Sequence, residues 1–173
     1  VYGYFSLAGK MVYFIGSMFS QFVIPYISRD LGAGKNPRTS FLRLVALVGS
    51  ANLLAVSVFG FLGSYTAPIL WGSNARLIIP YLPLYTVAMA LFSMTSLIIT
   101  YEQLRKRYLF PVVGFGLSLL QVVGMLLSHN SIESLVWVVA ISALTSLLCI
   151  TLMSRFYSSL VDALRALIDF AWL

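Results

Sequence analysis

Five apolar runs, each close to the length that an α-helix needs to cross a bilayer, constrain this chain more than any other feature. They are Val12 to Ile27, Phe41 to Gly63, Leu77 to Thr100, Leu109 to Leu127 and Leu135 to Met153. A membrane-spanning helix needs about 20 apolar residues, and it satisfies all its backbone hydrogen bonds internally. We therefore predict an all-α, polytopic integral membrane protein with about five transmembrane helices.

The composition supports a membrane protein. Hydrophobic residues make up 60% of the chain and charged residues 9%. The net charge of +6 does not indicate nucleic-acid binding, because basic residues beside apolar spans are expected from membrane topology. The chain has one cysteine, Cys149, which excludes an internal disulfide framework and a multi-cysteine zinc site. We predict neither a metal nor a cofactor.

The basic residues are sorted into alternate connectors. One side holds Arg29, Lys35, Arg38, Arg43, Arg105, Lys106, Arg107, Arg155 and Arg165, whereas the opposite connectors hold only Arg76 and His129. Lys10 lies at the N-terminal end. Because cytoplasmic loops are enriched in Lys and Arg, this asymmetry predicts an external N-terminus and a cytoplasmic C-terminus.

The acidic residues all lie at span ends or in the tail; they are Asp30, Glu102, Glu133, Asp162 and Asp169. None falls in the middle of an apolar run. Proton and cation relays usually use a carboxylate inside the membrane, and these five runs offer none. We also expect no catalytic residues.

Polar residues within the runs recur on single helical faces. The aligned sets are Lys10, Ser17, Gln21 and Ser28; Arg43, Ser50, Ser57 and Ser64; Thr86, Ser93 and Thr100; and Gly114, Ser118, Gln121 and Ser128. Their spacings bring members of one set to within about 40° on a helical wheel. Close helix packing explains the small residues in these sets.

Lys10, Gln21 and Gln121 are not explained by packing, because an unpaired ammonium or carboxamide is costly against lipid. A hydrated cavity between helices would remove that cost, so we predict these three residues as cavity-lining, substrate-binding candidates. Lys10 can alternatively extend to the membrane interface. Asn52 falls off the polar face of its span, and we predict that it donates an interhelical hydrogen bond.

The connectors and the tail suggest local elements. The sequence SRDLGAGKNPRT lacks the GxxxxGK[ST] pattern of a phosphate loop and predicts a short turn near lipid headgroups. SYTAPILWG predicts a short re-entrant or interfacial helix that stops at Gly72. Residues 1–153 then form the transmembrane bundle. Residues 154–173 have leucines at helical spacing and predict an amphipathic tail helix on the cytoplasmic surface.

The order of these features is similar to that of a known family. The matching segments are GYFSLAGKM, FIGSMFSQFVIPYISRDLGAGKNPR, APILWG and LPLYTVAMALFSMTSLIITYEQLRKR. They resemble the C-terminal half of a polysaccharide-biosynthesis, O-antigen-type oligosaccharide flippase of the multidrug/oligosaccharidyl-lipid/polysaccharide exporter superfamily. The resemblance covers about Tyr2 to Met153 and rests on the P-x-x-S-R turn with its basic loop and on the LWG before the third span.

This resemblance implies two six-helix bundles around a central cavity and a bacterial-type inner (plasma) membrane. Such proteins move undecaprenyl-diphosphate-linked sugars across that membrane by alternating access. The chain would then hold the last five helices of the second bundle, and its partners would be membrane lipids, the lipid-linked oligosaccharide and the N-terminal bundle of the same parent chain. We expect no transport by the chain alone. In this family, basic and polar residues face the cavity. By this resemblance Lys10 is the first candidate for such a residue, followed by Gln21 and Gln121.

Two other function classes stay open. A multidrug or cation exporter of the same superfamily would favour an intramembrane acidic residue or an apolar aromatic cavity. A membrane-embedded oligosaccharide polymerase or glycosyltransferase would need carboxylates or several arginines in an external loop. Arg76 and Glu133 are the only such residues, so we expect a transporter and not an enzyme.

Overall fold

The protein is a bundle of α-helices. A computed structural model describes residues 2–72, 78–128 and 131–171. The helices are α1 (Tyr2–Ser20), α2 (Val23–Gly32), α3 (Arg38–Val56), α4 (Gly63–Trp71), α5 (Leu82–Leu104), α6 (Leu109–Leu127) and α7 (Ile132–Ala171), and a π-helical turn, Ser57–Phe61, extends α3. No strand is present among the described residues.

Five stretches of the described residues are long and apolar enough to cross a membrane. They are Leu7–Gly32, Arg38–Phe61, Ile78–Leu104, Leu109–Leu127 and Ile132–Tyr157. Each overlaps one of the five apolar runs of the sequence, and the prediction of an all-α polytopic membrane protein is confirmed. Leu77, the predicted start of the third run, lies outside the described residues, as do Arg76 and His129.

The first span consists of two helices, because α1 ends before Gln21 and α2 begins at Val23. Pro25 explains the break. A proline has no N–H to bond the carbonyl four residues earlier, and its ring crowds that carbonyl, which here belongs to Gln21. At the break, the N–H of Phe22 instead bonds the carbonyl of Phe19, three residues back, at 3.1 Å.

Helices α1, α3 and α5 meet at one tight crossing. The Asn52 side chain, 4% exposed, donates from Nδ2 to Ser93 Oγ at 3.1 Å. The prediction that Asn52 makes an interhelical hydrogen bond is therefore confirmed. A Cβ on Gly16 would lie 2.0 Å from Ser93 Oγ and 2.6 Å from Asn52 Oδ1. Only a glycine lets α1 approach this closely.

Two further glycines bring other elements onto α5. A Cβ on Gly9 of α1 would lie 2.4 Å from Tyr85 Cε1, and a Cβ on Gly60 of the π-helical turn would lie 2.4 Å from Thr86 Oγ1. Small residues allow close backbone approach where no hydrophobic force drives helices together in lipid. Helix α5 consequently packs against α1, α2, α3, α6 and α7.

The end of α5 is held by a buried carboxylate. Lys106 is left-handed (φ +61), and its N–H bonds the Gln103 carbonyl at 2.9 Å while the Arg107 N–H bonds the Glu102 carbonyl at 3.1 Å. This turn, a Schellman motif, returns Arg107 Nη1 to 2.9 Å from Glu102 Oε2, and the Glu102 side chain is 1% exposed. Ser154 of α7 donates to Glu102 Oε1. One side chain therefore joins α5, its following turn and α7.

The connector after α2 is a short turn, as predicted. Gly34 adopts φ +66, its N–H bonds the Leu31 carbonyl at 3.2 Å, and the Lys35 N–H bonds the Asp30 carbonyl at 2.9 Å. The predicted helix before Gly72 is also present as α4, which ends at Trp71, and Gly72 has φ +76.

The fifth span continues into the tail as a second helical segment after a kink. Phe156 alone has non-helical angles within α7 (φ −105, ψ 17), so a kink lies three residues after Met153, where the sequence predicts the bundle to end. The predicted helix of the tail is present as far as Ala171. Its predicted amphipathic side chains, from residue 158 onward, lie outside the part of the chain whose side chains are described.

Substitution of Gly16 by Ala should lower the free energy of unfolding by roughly 1–3 kcal/mol, because the new methyl group overpacks the crossing of three helices. Gly116→Ala is the matched control, since nothing lies within 4 Å of a Cβ at Gly116 and both positions are helical. Thermal or denaturant unfolding in detergent measures the difference. Equal stability of the two variants would contradict the assigned crossing.

Candidate functional site

An open groove of about 680 Å³ runs along one face of α5. Its lining is Lys10 and Tyr13 of α1; Tyr85, Met89, Phe92, Thr95, Ser96, Ile99, Thr100 and Gln103 of α5; Pro111, Gly114, Leu117, Ser118 and Gln121 of α6; and Ser146 of α7. From Tyr85 to Gln103 the helix rises by about 27 Å. The groove therefore extends over most of the roughly 30 Å thickness of a bilayer core.

The packing of the bundle leaves this face of α5 open. Gly9 and Gly16 seat α1 against Tyr85 and Ser93. On another face of α5, Ala88 forms a buried cluster with Val139 and Ala143 of α7. A Cβ on Gly124 of α6 would touch Val138 of α7 at 3.1 Å, and one on Gly114 would touch Ile99 of α5 at 2.9 Å. The groove is the volume that these contacts do not fill.

The structure brings two of the three predicted site residues together. Lys10, which is exposed, and Gln121, which is half-buried, both line the groove. Neither side chain bonds another described residue. Gln21 is exposed at the break between α1 and α2 and lies outside the lining of the groove.

Hydroxyl groups in the spans mostly bond the carbonyls of their own helices. In and beside the groove these bonds run from Thr95 to Leu91, from Thr100 to Ser96 and from Ser118 to Gly114, each at 2.9 Å. The hydroxyl proton is thereby satisfied, but the oxygen can still accept a hydrogen bond. The groove therefore offers acceptors from hydroxyls, both donors and an acceptor from Gln121, and an ammonium from Lys10.

Some of the predicted polar faces line the groove and others do not. Gly114, Ser118 and Gln121 of α6 all line the groove. Ser50 of α3 and Ser57 of the π-helical turn do not, and they bond the Leu47 and Leu53 carbonyls at 2.8 Å. Hydroxyls that bond their own helix therefore occur both inside and outside the groove, and their alignment alone does not predict a cavity.

Aromatic residues near Lys10 are part of the site that sequence reasoning missed. Tyr13, Tyr85 and Phe92 line the groove. A tyrosine presents an apolar ring face together with a hydrogen-bonding hydroxyl. Tyr13 lies three residues after Lys10, which is a same-face spacing on a helix. For Tyr85 the sequence carried no such signal.

The described lining carries one positive charge and no negative charge. Glu102 is next to Gln103 in sequence, but its carboxylate is buried against Arg107. No group of three or more metal-binding side chains exists within residues 2–72, 78–128 and 131–171. The groove is thus a cationic, hydrogen-bonding surface with an apolar and aromatic remainder.

Comparison with known proteins adds no further constraint on this site. No family model, no curated protein and no solved structure matches the chain.

A cysteine in place of Gln121 should react at least about tenfold faster with a membrane-impermeant maleimide than one in place of Val122, because the reagent stays in water and because apolar surroundings disfavour the reactive thiolate. Val122 lies at nearly the same depth, is 52% exposed and is not part of the groove lining. Both variants carry Cys149→Ala, so that one thiol remains. Labelling of membranes followed by mass spectrometry gives the rates, and equal rates would show that the groove is not hydrated.

Proposed function

We propose that this chain is part of a membrane transporter that moves polyprenyl-diphosphate-linked oligosaccharides across a bacterial-type inner membrane, by alternating access, for polysaccharide biosynthesis. The observation that supports this function is the groove along α5. It is nearly as long as the bilayer core is thick, and its described lining combines one ammonium with amide and hydroxyl groups and no carboxylate. Such a lining favours a ligand that is both anionic and rich in hydroxyls.

The Lys10 ammonium has the role of lowering the cost of bringing a diphosphate into the membrane. A charge at the bilayer centre is expensive unless it is paired or hydrated. Lys10 supplies the opposite charge, and it does so without a competing acidic partner among the described residues. The aromatic rings of Tyr13 and Tyr85 lie in the same lining and would pack against sugar rings.

The hydroxyl and amide groups of the groove have the role of replacing water around the glycan. Ser96 on α5 and Ser118 and Gln121 on α6 share the lining. Each can exchange hydrogen bonds with successive sugar hydroxyls at little net cost. Because each such neutral hydrogen bond contributes little net free energy, a glycan could move from one group to the next.

The polyprenyl chain would stay in the lipid beside the bundle. Most of the α6 surface is available for this, since only 6% of the span is buried and Leu120 and Leu127 are 68% and 75% exposed. The groove itself is open along its length. In this proposal its missing wall is the N-terminal bundle of the parent chain, and movement of the two bundles alternates the exposure of the groove.

The groove favours this function over the two alternatives. A multidrug or cation exporter would be supported by a carboxylate in the lining or by a markedly apolar, aromatic cavity, and a glycosyltransferase by carboxylates or several arginines. The described lining has no carboxylate and no arginine, and it combines its aromatic rings with an ammonium, amides and hydroxyls. The proposal therefore assigns binding and movement to the chain, and no bond-breaking step.

Replacement of Lys10 by Ala in the full-length protein should lower surface polysaccharide about 10- to 100-fold, because a hydrogen bond to a charged group contributes roughly 1.5–3 kcal/mol. Lys10→Arg keeps the charge and should retain most of the export. Lys35→Ala removes the same charge outside the groove and is the matched control. Quantification of surface polysaccharide at equal protein levels in the membrane reads out the effect. Undiminished export in Lys10→Ala would overturn the assignment.

A further inference from the structure

A second pocket, of about 780 Å³, lies at the end of the bundle that holds the connectors 33–37 and 105–108. We call this end the basic end. Three arginines line the pocket, namely Arg38, Arg105 and Arg155, together with Asn36 and Tyr101. This group of side chains, hereafter the arginine pocket, has no part in the groove along α5.

The three arginines come from separate elements. Arg38 is the first residue of α3, Arg105 follows the last residue of α5, and Arg155 lies one residue before the kink of α7. No two of them are neighbours in sequence. Their convergence is therefore a property of the folded bundle.

Among the described residues, little negative charge compensates the arginine pocket. Glu102 is the one acidic residue in its described lining, and that carboxylate is already bound by Arg107 at 2.9 Å and by the Ser154 hydroxyl. Arg105 lies further from Glu102, at 3.6 Å. Arg38 and Arg155 have no ion pair with a described residue.

The beginning of α3 adds to this positive potential. The first turn of a helix leaves backbone N–H groups without partners and carries a partial positive charge. In α3 this turn contains Arg38 and no acidic residue, and the Asn36 side chain accepts from the Arg38 N–H alone, at 3.0 Å. A basic residue at this position is unfavourable for the isolated helix. A bound anion would remove the mismatch.

The depth and the apolar floor of the pocket identify the source of the anion. Arg38, Arg105 and Arg155 lie at or beside the ends of the second, third and fifth spans, which is the level of the lipid headgroups. Leu42 and Ile98 also line the pocket, and Leu42 is 56% exposed. A molecule with a phosphate group and an acyl chain fits this pocket, because the arginines lie at the level of the headgroups and apolar side chains lie beside them.

We propose that the arginine pocket binds a phosphate group, and that the headgroup of an anionic phospholipid supplies it. Planar guanidinium groups bind phosphate oxygens in pairs of hydrogen bonds, and basic pockets between transmembrane helices bind such headgroups. One lipid would neutralise the beginning of α3, the end of α5 and the segment of α7 next to its kink. The site does not depend on what the groove carries.

Thermal unfolding of the purified full-length protein tests this proposal. The protein, in neutral detergent, is titrated with phosphatidylglycerol, with phosphatidylcholine or with inorganic phosphate, and the unfolding midpoint gives an apparent affinity. Phosphatidylglycerol should raise the midpoint, and phosphatidylcholine should not. Arg38→Gln and Arg155→Gln should each weaken the apparent affinity for phosphatidylglycerol about fivefold.

Arg43→Gln is the matched control. It removes the same charge from the same helix, at the same end of the bundle, but Arg43 does not line the pocket. The control should bind phosphatidylglycerol as the unsubstituted protein does. An equal loss in Arg43→Gln would show that surface charge alone attracts the lipid and would overturn the site.

Two further results separate the remaining possibilities. A shift with inorganic phosphate and none with phosphatidylglycerol would overturn the lipid as the source and leave a soluble phosphate compound. If a variant does not fold, the unsubstituted protein still tests the site, because its affinity for phosphatidylglycerol should fall as salt screens the arginines. An affinity independent of salt would contradict the proposal.

Discussion

The close crossing of α1, α3 and α5 is the constraint on which the rest of the structure depends. In lipid, helices are not driven together by a hydrophobic force, so close packing and buried hydrogen bonds decide which faces meet. Gly16 permits the contact, and the Asn52–Ser93 bond makes it specific. Helices α1 and α3 pack against one side of α5, and α7 packs against another. The remaining face of α5, which carries polar and apolar side chains, lines the groove.

Features that depend on one segment at a time were predictable from the sequence. The number of spans and the all-α class follow from the lengths of the apolar runs. The interhelical hydrogen bond of Asn52 was predictable because a carboxamide inside an apolar run needs a hydrogen-bond partner. Lys10 and Gln121 were recognisable because neither suits lipid. The position of Tyr85 in the groove and the burial of Glu102 could not be predicted, because both depend on which faces of separate helices meet. The serines of α3 were uninformative because a hydroxyl in a helix can bond its own backbone.

Two groups of positive charge, Lys10 in the groove and the arginines of the arginine pocket, have different roles in the two proposals. Lys10 lies in the groove, without a carboxylate in the described lining, and in the proposed function it binds an anion that is transported. In the second proposal the arginines at the basic end bind the phosphate of a lipid that stays in place. Glu102 contributes to this division, because its carboxylate is bound by Arg107 and by Ser154 of α7, and Arg38 and Arg155 have no acidic partner in the described structure.

Photocrosslinking tests most directly whether the groove holds a diphosphate-linked glycan. A photoreactive amino acid is placed at Gln121 or, as the control, at Val122, whose side chain points away from the groove lining. Cells that make radiolabelled polyprenyl-diphosphate oligosaccharide are then irradiated. We expect a labelled adduct from Gln121 and little or none from Val122. An adduct of equal yield at both positions, or none at Gln121, would contradict the function proposed for the groove.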